Sequence, residues 1–276
     1  MSSFLERHVI LFIGGGQMAE SMIQGLLNQK LAVPDQITVC DPAAERREHL
    51  SGTYHVTTTL DTASVVARAD VVVLAVKPQQ LAGVLGQLRG RLRADALLLS
   101  IVAGARIETM CTAVQHRLVV RAMPNTPAQV SKAATVWAST PEVTPALRER
   151  ARAILGAMGM ELEVTDEGYV EIATGLTGPT PAFLFLIIEA LVEAGVSLGF
   201  QRDAALALTL QTIEGSVALM KQTGEHAAVL RGQVTSPGGA TAAGVYVLEK
   251  AGLRATISDA VHAVFLRACE LGNTIK

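Results

Sequence analysis

Three small residues near the N-terminus have the spacing of a phosphate-binding turn. Gly14, Gly16 and Ala19, in the stretch IGGGQMA, fit the pattern G-x-G-x-x-G/A. In that pattern the first glycine makes a tight turn, the second lets a pyrophosphate approach the backbone, and the third small residue lets a helix pack on a strand. The unpaired N–H groups at the start of such a helix also attract an anion. The same residues are equally consistent with a strand–turn–helix in which the small side chains serve packing only.

An acid closes the apolar run that follows this turn. Asp41 ends the stretch QITVCD, 25 residues after Gly16. A carboxylate at that place commonly accepts hydrogen bonds from the adenosine ribose hydroxyls, which favours NAD over NADP. Arg46 and Arg47 lie just downstream, and a guanidinium can pair with a 2′-phosphate. We favour the interpretation of these two arginines as a solvated helix face, since surface arginines are usual.

Three further turns follow apolar runs: AVKPQQ (75–80), SIVAG (100–104) and MPNTP (123–127). Lys77 brings a positive charge to the first turn, and the small residues of the second leave room for a flat ring. In the third turn, Pro124 and Pro127 bracket Asn125, whose amide can both donate and accept, as a nicotinamide carboxamide requires. Taken alone, each stretch is also an ordinary turn.

Short apolar runs alternate with helical stretches over the first 165 residues. The runs predicted as strands are 9–13, 36–41, YHVTTT, 71–76, 97–103, 117–124, 134–139 and 160–166. Strands separated by helices indicate βαβ units, so the sequence predicts an α/β fold with a doubly wound, mostly parallel sheet. Such a sheet binds ligands at the carboxyl ends of its strands, where the turns GGGQMA, VKPQQ and MPNTP fall.

The strand pattern stops after about Asp166, and long helical stretches rich in Ala and Leu follow. We therefore expect two domains, a dinucleotide-binding Rossmann-like domain over 1–165 and an all-helical domain over 166–276. Helices that are apolar on most sides must be buried. A helical domain this small cannot bury them all itself, so the sequence predicts a homodimer or a larger oligomer.

Composition excludes several classes of function. The chain has 276 residues, of which 50% are hydrophobic, 17% charged and 4% aromatic, as in a well-packed globular protein. A formal net charge of −2 and so few aromatic residues argue against a nucleic-acid partner. The N-terminus lacks the pattern of a signal peptide. The most apolar helix, PAFLFLIIEALVEAGVSLGF, carries Glu189 and Glu193, which favours a buried core helix over a membrane span.

Cysteine and histidine usage points to a cytoplasmic protein without a metal. Cys40, Cys111 and Cys269 are dispersed and include no C-x-x-C, which is typical of reduced, buried thiols. The six histidines never form H-x-x-x-H, so we expect no metal site.

The motifs IGGGQMA, AVKPQ, SIVAG, VRAMPNTPA and VTSPGGAT, in this order, resemble those of the pyrroline-5-carboxylate reductases. The resemblance covers nearly the whole chain, and MPNTP and TSPGGAT are its most specific parts. It implies a Rossmann-like domain, a helical dimerisation and substrate domain, and reduction of 1-pyrroline-5-carboxylate to L-proline by NADPH or NADH. It also implies a homodimer, which in many members assembles further into decamers.

The resemblance also implies the site residues. It assigns the pyrophosphate to Gly14, Gly16, Gln17, Met18 and Ala19, the adenosine ribose to Asp41 and Thr62, the cofactor groove to Val76, Lys77 and Pro78, and the nicotinamide to Ala103, Gly104 and Asn125. It assigns the cyclic imine to Thr177, Ser236, Gly238, Gly239, Ala240 and Thr241. Thr241 is then the catalytic candidate, because its hydroxyl can hydrogen-bond the ring nitrogen.

The chain departs from the family pattern near the substrate. The family usually has SGSGPAY where this chain has TGPTPAF, residues 177–183. Pro179 removes an N–H donor, and Thr180 cannot take a positive φ as cheaply as glycine. Two alternatives therefore stay open: a reductase of a different cyclic imine, and a non-catalytic paralogue, against which the intact MPNTP and TSPGGAT argue. Asp41 would repel a 2′-phosphate, so we predict that NADH is used at least as well as is usual for the family.

Overall fold

The computed structural model describes residues 8–274, with side chains described as far as residue 270. Within that range the strands form one eight-stranded sheet in the order β3-β2-β1-β4-β5-β6-β7-β8. The strands are β1 (Ile10–Ile13), β2 (Ile37–Cys40), β3 (Thr57–Thr59), β4 (Val71–Leu74), β5 (Leu97–Ser100), β6 (Val119–Met123), β7 (Ala133–Ser139) and β8 (Gly159–Glu163).

Both faces of the central strands are covered, which explains why their sequences are apolar without alternation. Ile10 and Phe12 of β1 pack in one buried cluster with side chains of the first helix, such as Met22. Leu11 and Ile13 point the other way, into a second buried cluster. Successive side chains of a strand face opposite sides of a sheet, so two cores require helices on both faces. The predicted doubly wound α/β fold is confirmed.

The strand order reverses beside β1. This strand pairs in parallel with β2 on one side and with β4 on the other, with Ile13 level with Cys40 and Leu74. Ligands of doubly wound sheets bind in the crevice outside the carboxyl ends of the strands at such a switch point. The glycine turn after β1 and the AVKPQQ turn after β4 therefore lie at the place where a dinucleotide would bind.

The last two strands reverse direction, which the sequence did not indicate. β7 runs antiparallel to β6, with Arg121 level with Ala138, and β8 runs parallel to β7. The reason is the connection after β6, a short loop with one 3-10 turn (Thr126–Val130) in place of a crossover helix. A parallel neighbour needs a crossover of a dozen or more residues, whereas an antiparallel one does not.

The helices alternate with the strands and then dominate the second half of the chain. They are α1 (Gln17–Asn28), α2 (Ala44–Tyr54), α3 (Thr62–Val66), α4 (Leu81–Leu88), α5 (Ile107–Val114), α6 (Pro145–Gly156), α7 (Gly168–Leu176), α8 (Thr180–Ser197), α9 (Arg202–Thr223), α10 (Ala227–Gln233), α11 (Ala240–Lys250) and α12 (Leu253–Thr274).

The chain divides into two compact units at places other than 165/166. Among the described residues, the first unit comprises 8–178 and 264–274, and the second comprises 179–263. The first unit includes α7 because this helix packs on β6 and β7 of the sheet. The end of α12 also belongs to the first unit, where Phe265 lies against Gly175 of α7. The expected functional boundary at 165/166 stays a prediction.

The helices of the second unit expose much of their apolar surface. In α8 only Val192 is buried, and Phe185 and Leu186 are about two-thirds exposed. The described chain does not cover this helix by itself, so the predicted burial of α8 depends on the second subunit that the sequence also predicts. Residues 168–197 also have the length and hydropathy of a membrane span, although residues 177–179 divide them into α7 and α8. Length and composition alone are weak evidence for a membrane span, because a helix buried in a subunit interface can have the same length and composition.

Candidate functional site

The first glycine of the IGGGQMA turn is required by the protein itself. Gly14 has a φ of +97°, and a Cβ added there would lie 2.6 Å from the carbonyl oxygen of Ala75. Its N–H donates to the carbonyl oxygen of Cys40 at 2.8 Å. The turn is thus held between the ends of β2 and β4, in a conformation that glycine alone adopts cheaply.

The second glycine is not required by any described part of the protein. Gly16 is the N-cap of α1 with a φ of −65°, and no described heavy atom lies within 4 Å of the position of an added Cβ. Gln17 and Met18 follow at the open start of the helix, and Ala19 is buried in the core. The space beside Gly16 therefore leaves the N-terminus of α1 open to an approaching anion.

Asp41 lies directly beside this turn. One of its carboxylate oxygens accepts the N–H of Gly15 at 2.7 Å, and the other accepts the N–H of Ala43 at 2.8 Å. Each carboxylate oxygen has a second lone pair, so both can still accept a hydroxyl. The Asp41 carboxylate, which we expect at the ribose, is therefore held beside the IGGGQMA turn by these two hydrogen bonds.

The arginines after Asp41 do not form a solvated helix face, so our favoured interpretation of them is wrong. Arg46 hydrogen-bonds the carbonyl oxygen of Gly15 and the carboxylate of Glu20. Arg47 donates to the carbonyl oxygen of Asp41 at 2.8 Å and to that of the next residue at 2.9 Å. Both side chains are half-buried. Arg46 folds back over the glycine turn, and Arg47 folds back over the loop after β2, each to donate to backbone carbonyl oxygens.

A cavity of about 230 Å³ opens at the carboxyl ends of β1, β2 and β4. Three predicted cofactor residues, Gly14, Thr62 and Val76, line it together. The Thr62 hydroxyl lies 2.8 Å from the Sγ atom of Cys40. Sequence reasoning missed the other lining residues, which lie at or just beyond the ends of β1, β2 and β3, in the 3-10 turn after β4, or in α4: Ile13, Cys40, Pro42, Leu60, Gln80, Val84 and Gln87. Lys77 and Pro78 begin the 3-10 turn that leads from β4 toward this helix.

The MPNTP and TGPTP turns are joined by one amide. Asn125 donates from Nδ2 to the carbonyl oxygen of Thr177 at 3.1 Å, and its Oδ1 accepts the N–H of Ala134 at 2.9 Å. One N–H and one lone pair of the amide are left for a nicotinamide carboxamide. Asn125 therefore fixes the distance between two motifs in addition to its predicted role. The Thr177 hydroxyl donates to the carbonyl oxygen of Ala173 at 2.9 Å.

Sequence reasoning also missed an ion cluster around the buried Arg121, which joins β6 to the start of α7 and to the start of α5. Arg121 of β6 is 2% exposed and donates to the carboxylates of Glu167 at 2.6 Å and Glu171 at 2.7 Å. Glu167 also accepts the N–H of Ile107, the first residue of α5, at 2.8 Å. These bonds tie α7 to β6 and to the loop that contains Ala103 and Gly104. An arginine inside the apolar run RLVVRAMP was the available signal, because a buried charge must be paired.

The TSPGGAT stretch of the second unit forms a loop that enters a helix, as expected. Gly238 has a φ of +72°, and Gly239 is the N-cap of α11. The N–H of Gly239 donates to the carbonyl oxygen of Ser236 at 3.0 Å. Ala240 and Thr241 are the first two residues of the helix and are exposed. The turn thus presents backbone N–H groups and a hydroxyl at a helix N-terminus.

The altered TGPTPAF stretch adopts no strained conformation. Pro179 is the N-cap of α8 with a φ of −82°, and Thr180 is the first residue of this helix. The positive φ that would have penalised Thr180 is therefore not required. The lost N–H of Pro179 stands as a real chemical difference from the family pattern.

A larger cavity, of about 610 Å³, lies between α7 and the end of α12. Tyr169, Ile172 and Phe265 line it, and none of the predicted site residues does. Cys269 also borders it and is only half-buried, so the expectation of buried thiols is right for Cys40 and Cys111 alone. Across residues 8–274, no three His, Cys, Asp or Glu side chains converge as metal ligands.

Two family models match the chain. Residues 167–271 match the model described as pyrroline-5-carboxylate reductase dimerisation, and residues 9–104 match the model described as NADP oxidoreductase, coenzyme F420-dependent. Together they include both the glycine turn and the TSPGGAT loop.

Several relatives match over nearly their full length. A pyrroline-5-carboxylate reductase of Synechocystis sp. is 42% identical over 94% of this chain and 97% of its own, and one of Arabidopsis thaliana is 36% identical over 95% of each. A structure of the enzyme from Coxiella burnetii is 36% identical and covers 96% of this chain and 98% of its own, with a TM-score of 0.89. A structure of pyrroline carboxylate reductase from Plasmodium falciparum with NADP bound is 29% identical with the same coverage and a TM-score of 0.87.

Proposed function

The chain belongs to the pyrroline-5-carboxylate reductase family, and we infer its reaction from that membership together with its site. It reduces 1-pyrroline-5-carboxylate to L-proline with a reduced nicotinamide dinucleotide, which is the last step of proline synthesis. The resemblance of its motifs to this family predicted the same reaction.

One observation carries the assignment of the dinucleotide to this site. The missing side chain of Gly16 leaves open space at the N-terminus of α1, beside the strand-order reversal of the sheet. A cradle without a Cβ at a helix N-terminus fits a pyrophosphate, because N–H groups and the helix dipole both favour an anion. Gly14, Gln17, Met18 and Ala19 complete this turn in our proposal.

The rest of the cofactor lies along the strand ends. Asp41 accepts hydrogen bonds from the ribose hydroxyls, with Thr62 beside it. The groove is lined by Val76, Lys77 and Pro78. The nicotinamide end is formed by Ala103, Gly104 and Asn125. Support for this path comes from the cavity shared by Gly14, Thr62 and Val76. We further propose that NADH serves at least as well as is usual for the family, because Asp41 disfavours a 2′-phosphate.

The substrate carboxylate is bound by the TSPGGAT turn. The N–H groups of Ala240 and Thr241 lie at the start of α11, where a carboxylate is favoured, with Ser236, Gly238 and Gly239 shaping the loop. The Thr241 hydroxyl hydrogen-bonds the ring nitrogen, and Thr177 lies in the altered stretch near the ring in our proposal.

The protein needs little acid–base machinery for this reaction. A bound reduced nicotinamide supplies the hydride that converts the imine carbon to a saturated one. The protonated imine is already an electrophile, so the residues act by holding the two reactants in reach of one another. The Thr241 hydroxyl is too weak an acid to be the proton source and instead orients the ring nitrogen toward a proton relayed from water.

The chain is a homo-oligomer in this account. The dimerisation model spans 167–271, and the helices of 179–263 leave large apolar side chains uncovered. We propose that a second copy covers them, that dimers assemble further into decamers, and that the protein works in the cytoplasm without a membrane contact.

A reductase of a different cyclic imine is the second candidate. The observation that favours it is Pro179, which cannot donate a backbone hydrogen bond where the family usually has a serine. Both candidates predict the same fold and the same dinucleotide, and they differ only in the ring that is reduced.

Oxidation of NADH and NADPH in the presence of a panel of cyclic imines tests the proposal. The panel contains 1-pyrroline-5-carboxylate, pyrroline-2-carboxylate and piperideine carboxylates, each measured with both cofactors. We expect the fastest oxidation with 1-pyrroline-5-carboxylate. Turnover of another ring alone would transfer the assignment to the second candidate, and binding of the dinucleotide without any turnover would refute both.

A further inference from the structure

A single carboxylate on α1 is held by three side chains of α2. One oxygen of Glu20 accepts from the Tyr54 hydroxyl at 3.0 Å and lies 2.8 Å from Nε2 of His49, and the other oxygen pairs with Arg46. Partial burial acts to raise the pKa of Glu20, but the hydrogen bonds from Arg46, His49 and Tyr54 outweigh it and hold that pKa below its ordinary value. Glu20 is therefore a charged, fixed anchor at working pH.

The anchored guanidinium lies over the phosphate turn. Arg46 also donates to the carbonyl oxygen of Gly15, whose own N–H binds the Asp41 carboxylate at 2.7 Å. Arg46 and Asp41, the acid that we place at the ribose, therefore bind the same residue, Gly15. The neighbouring Arg47 is held on the carbonyl oxygens of Asp41 and Pro42. Both cations at this end of the site are bonded to the protein.

We propose that Glu20 sets the choice between the two dinucleotides by holding Arg46 on the turn, where it neither neutralises Asp41 nor meets a 2′-phosphate. The inference rests on the proposed dinucleotide site and adds to it a residue that acts through another. Glu20 is a positioning residue in this account, and Asp41 is the group that touches the ribose.

The chemistry of the discrimination follows from charge. A ribose 2′-hydroxyl donates to a carboxylate, whereas a 2′-phosphate places two negative charges next to Asp41 unless a cation intervenes. Arg46 and Arg47 both have the planar fork that suits a phosphate, and Arg46 is the one that Glu20 holds. While Arg46 is paired with Glu20, the site favours the dinucleotide that lacks the 2′-phosphate. Once released, Arg46 can pair with the phosphate or with Asp41, and either pairing lowers the repulsion.

A purely structural role for Glu20 predicts a different outcome. If Glu20 only tethers α2 to α1, its removal lowers stability and weakens all adenosine ligands alike. The ratio of affinities for ligands with and without a 2′-phosphate separates the two roles, because a tether does not discriminate between them.

The test measures binding of two cofactor fragments, AMP and adenosine 2′,5′-bisphosphate, by calorimetry on the full-length protein. The variants are Glu20→Ala, Arg46→Ala and the double variant, with Glu45→Ala as the matched control. Glu45 is an exposed acid of α2, so its removal changes the local charge without releasing Arg46. A thermal melt of each variant verifies folding, and Glu20→Gln is a second, gentler release if the alanine variant melts too low.

We expect Glu20→Ala to raise the affinity for the bisphosphate relative to AMP about fivefold, the value of one partly exposed charge pair. The gain should vanish in the double variant and be absent in the control. An unchanged ratio in folded Glu20→Ala, or a gain that persists without Arg46, would overturn the inference. Neither fragment takes part in imine reduction, so a failure of the proposed reaction would leave these results readable.

Discussion

Replacing Gly14 and Gly16 of the IGGGQMA turn separates folding from the proposed cofactor binding. Gly14→Ala places a Cβ 2.6 Å from the carbonyl oxygen of Ala75 and 2.8 Å from its carbon, at a φ of +97°. Gly16→Ala places a Cβ in open space at a φ of −65°. Gly14→Ala therefore creates a clash inside the folded protein, whereas the Cβ of Gly16→Ala meets another atom only when a ligand approaches.

The expected cost of Gly14→Ala follows from two contributions. A left-handed conformation costs a non-glycine residue about 1–2 kcal/mol. A steric clash with backbone that cannot move aside costs about 1–3 kcal/mol more. The sum, about 2–5 kcal/mol, is a large part of a typical unfolding free energy of about 5–15 kcal/mol. We therefore expect the melting temperature to fall by roughly 4–20 °C.

For Gly16→Ala the contributions to stability nearly cancel. Alanine is a poorer N-cap than glycine by up to about 1 kcal/mol. Against this, alanine restricts the unfolded chain and thereby stabilises the fold by about 0.4–1 kcal/mol. We expect a melting temperature close to that of the unmodified protein, together with an affinity for NADH or NADPH that is lower by at least roughly tenfold, or about 1.4 kcal/mol.

Thermal melts without cofactor and calorimetric titration of the dinucleotide measure the two effects separately. If Gly16→Ala binds the dinucleotide as tightly as the unmodified protein, the open space beside Gly16 is not the place of the pyrophosphate. A Gly14→Ala protein that melts normally would refute the claim that the turn requires glycine.

Three other changes have defined outcomes. Thr241→Ala should lower kcat while the Kd for the dinucleotide is unchanged, and equal turnover would remove Thr241 from the mechanism. Asn125→Ala should lower the free energy of unfolding in urea by about 2 kcal/mol, because it breaks two hydrogen bonds of about 1 kcal/mol each. Asn125→Asp keeps the acceptor for Ala134 but sets a carboxylate oxygen against the carbonyl oxygen of Thr177, so it should cost at least as much as Asn125→Ala. A much smaller loss would contradict the donor role of Asn125. The folded-state pKa of Glu20 lies below the unfolded value, so its stabilisation is present above the unfolded pKa and is lost as pH falls through the folded pKa. The free energy of unfolding in urea should therefore be lower for Glu20→Gln than for the unmodified protein at neutral pH. This difference should shrink as the pH falls below the ordinary pKa of a glutamate carboxyl, and a difference that is constant with pH would contradict the assignment.

The central sheet could be predicted because its signals are local. β1, β4 and β5 are continuous apolar runs, and a strand buried on both faces needs such a run. The turns after them were recognisable from glycine and proline, whose backbone preferences act within a few residues. The direction of β7 was not predictable in the same way, since it depends on the space available after β6 and on a pairing with a distant strand.

The polar contacts of the site were less predictable, because they join residues far apart in sequence. Nothing near Arg121 in the sequence indicates that Glu167 and Glu171 are its partners. Arg46 is likewise separated from Glu20 by 26 residues, and its pairing decides whether it is a solvated side chain or part of the site. Residue types indicated a dinucleotide site, whereas the partners of its charged groups required the fold.

The most direct test of the reaction follows a deuterium label from the cofactor into the product. The protein is incubated with 1-pyrroline-5-carboxylate and NADH or NADPH that carries deuterium in place of both hydrogens at C4 of the nicotinamide, and the product is analysed by mass spectrometry and NMR. We predict L-proline with one deuterium on the ring carbon remote from the carboxylate, which is the former imine carbon. Proline without deuterium, or a label found only in the product of another cyclic imine, would contradict the assigned reaction.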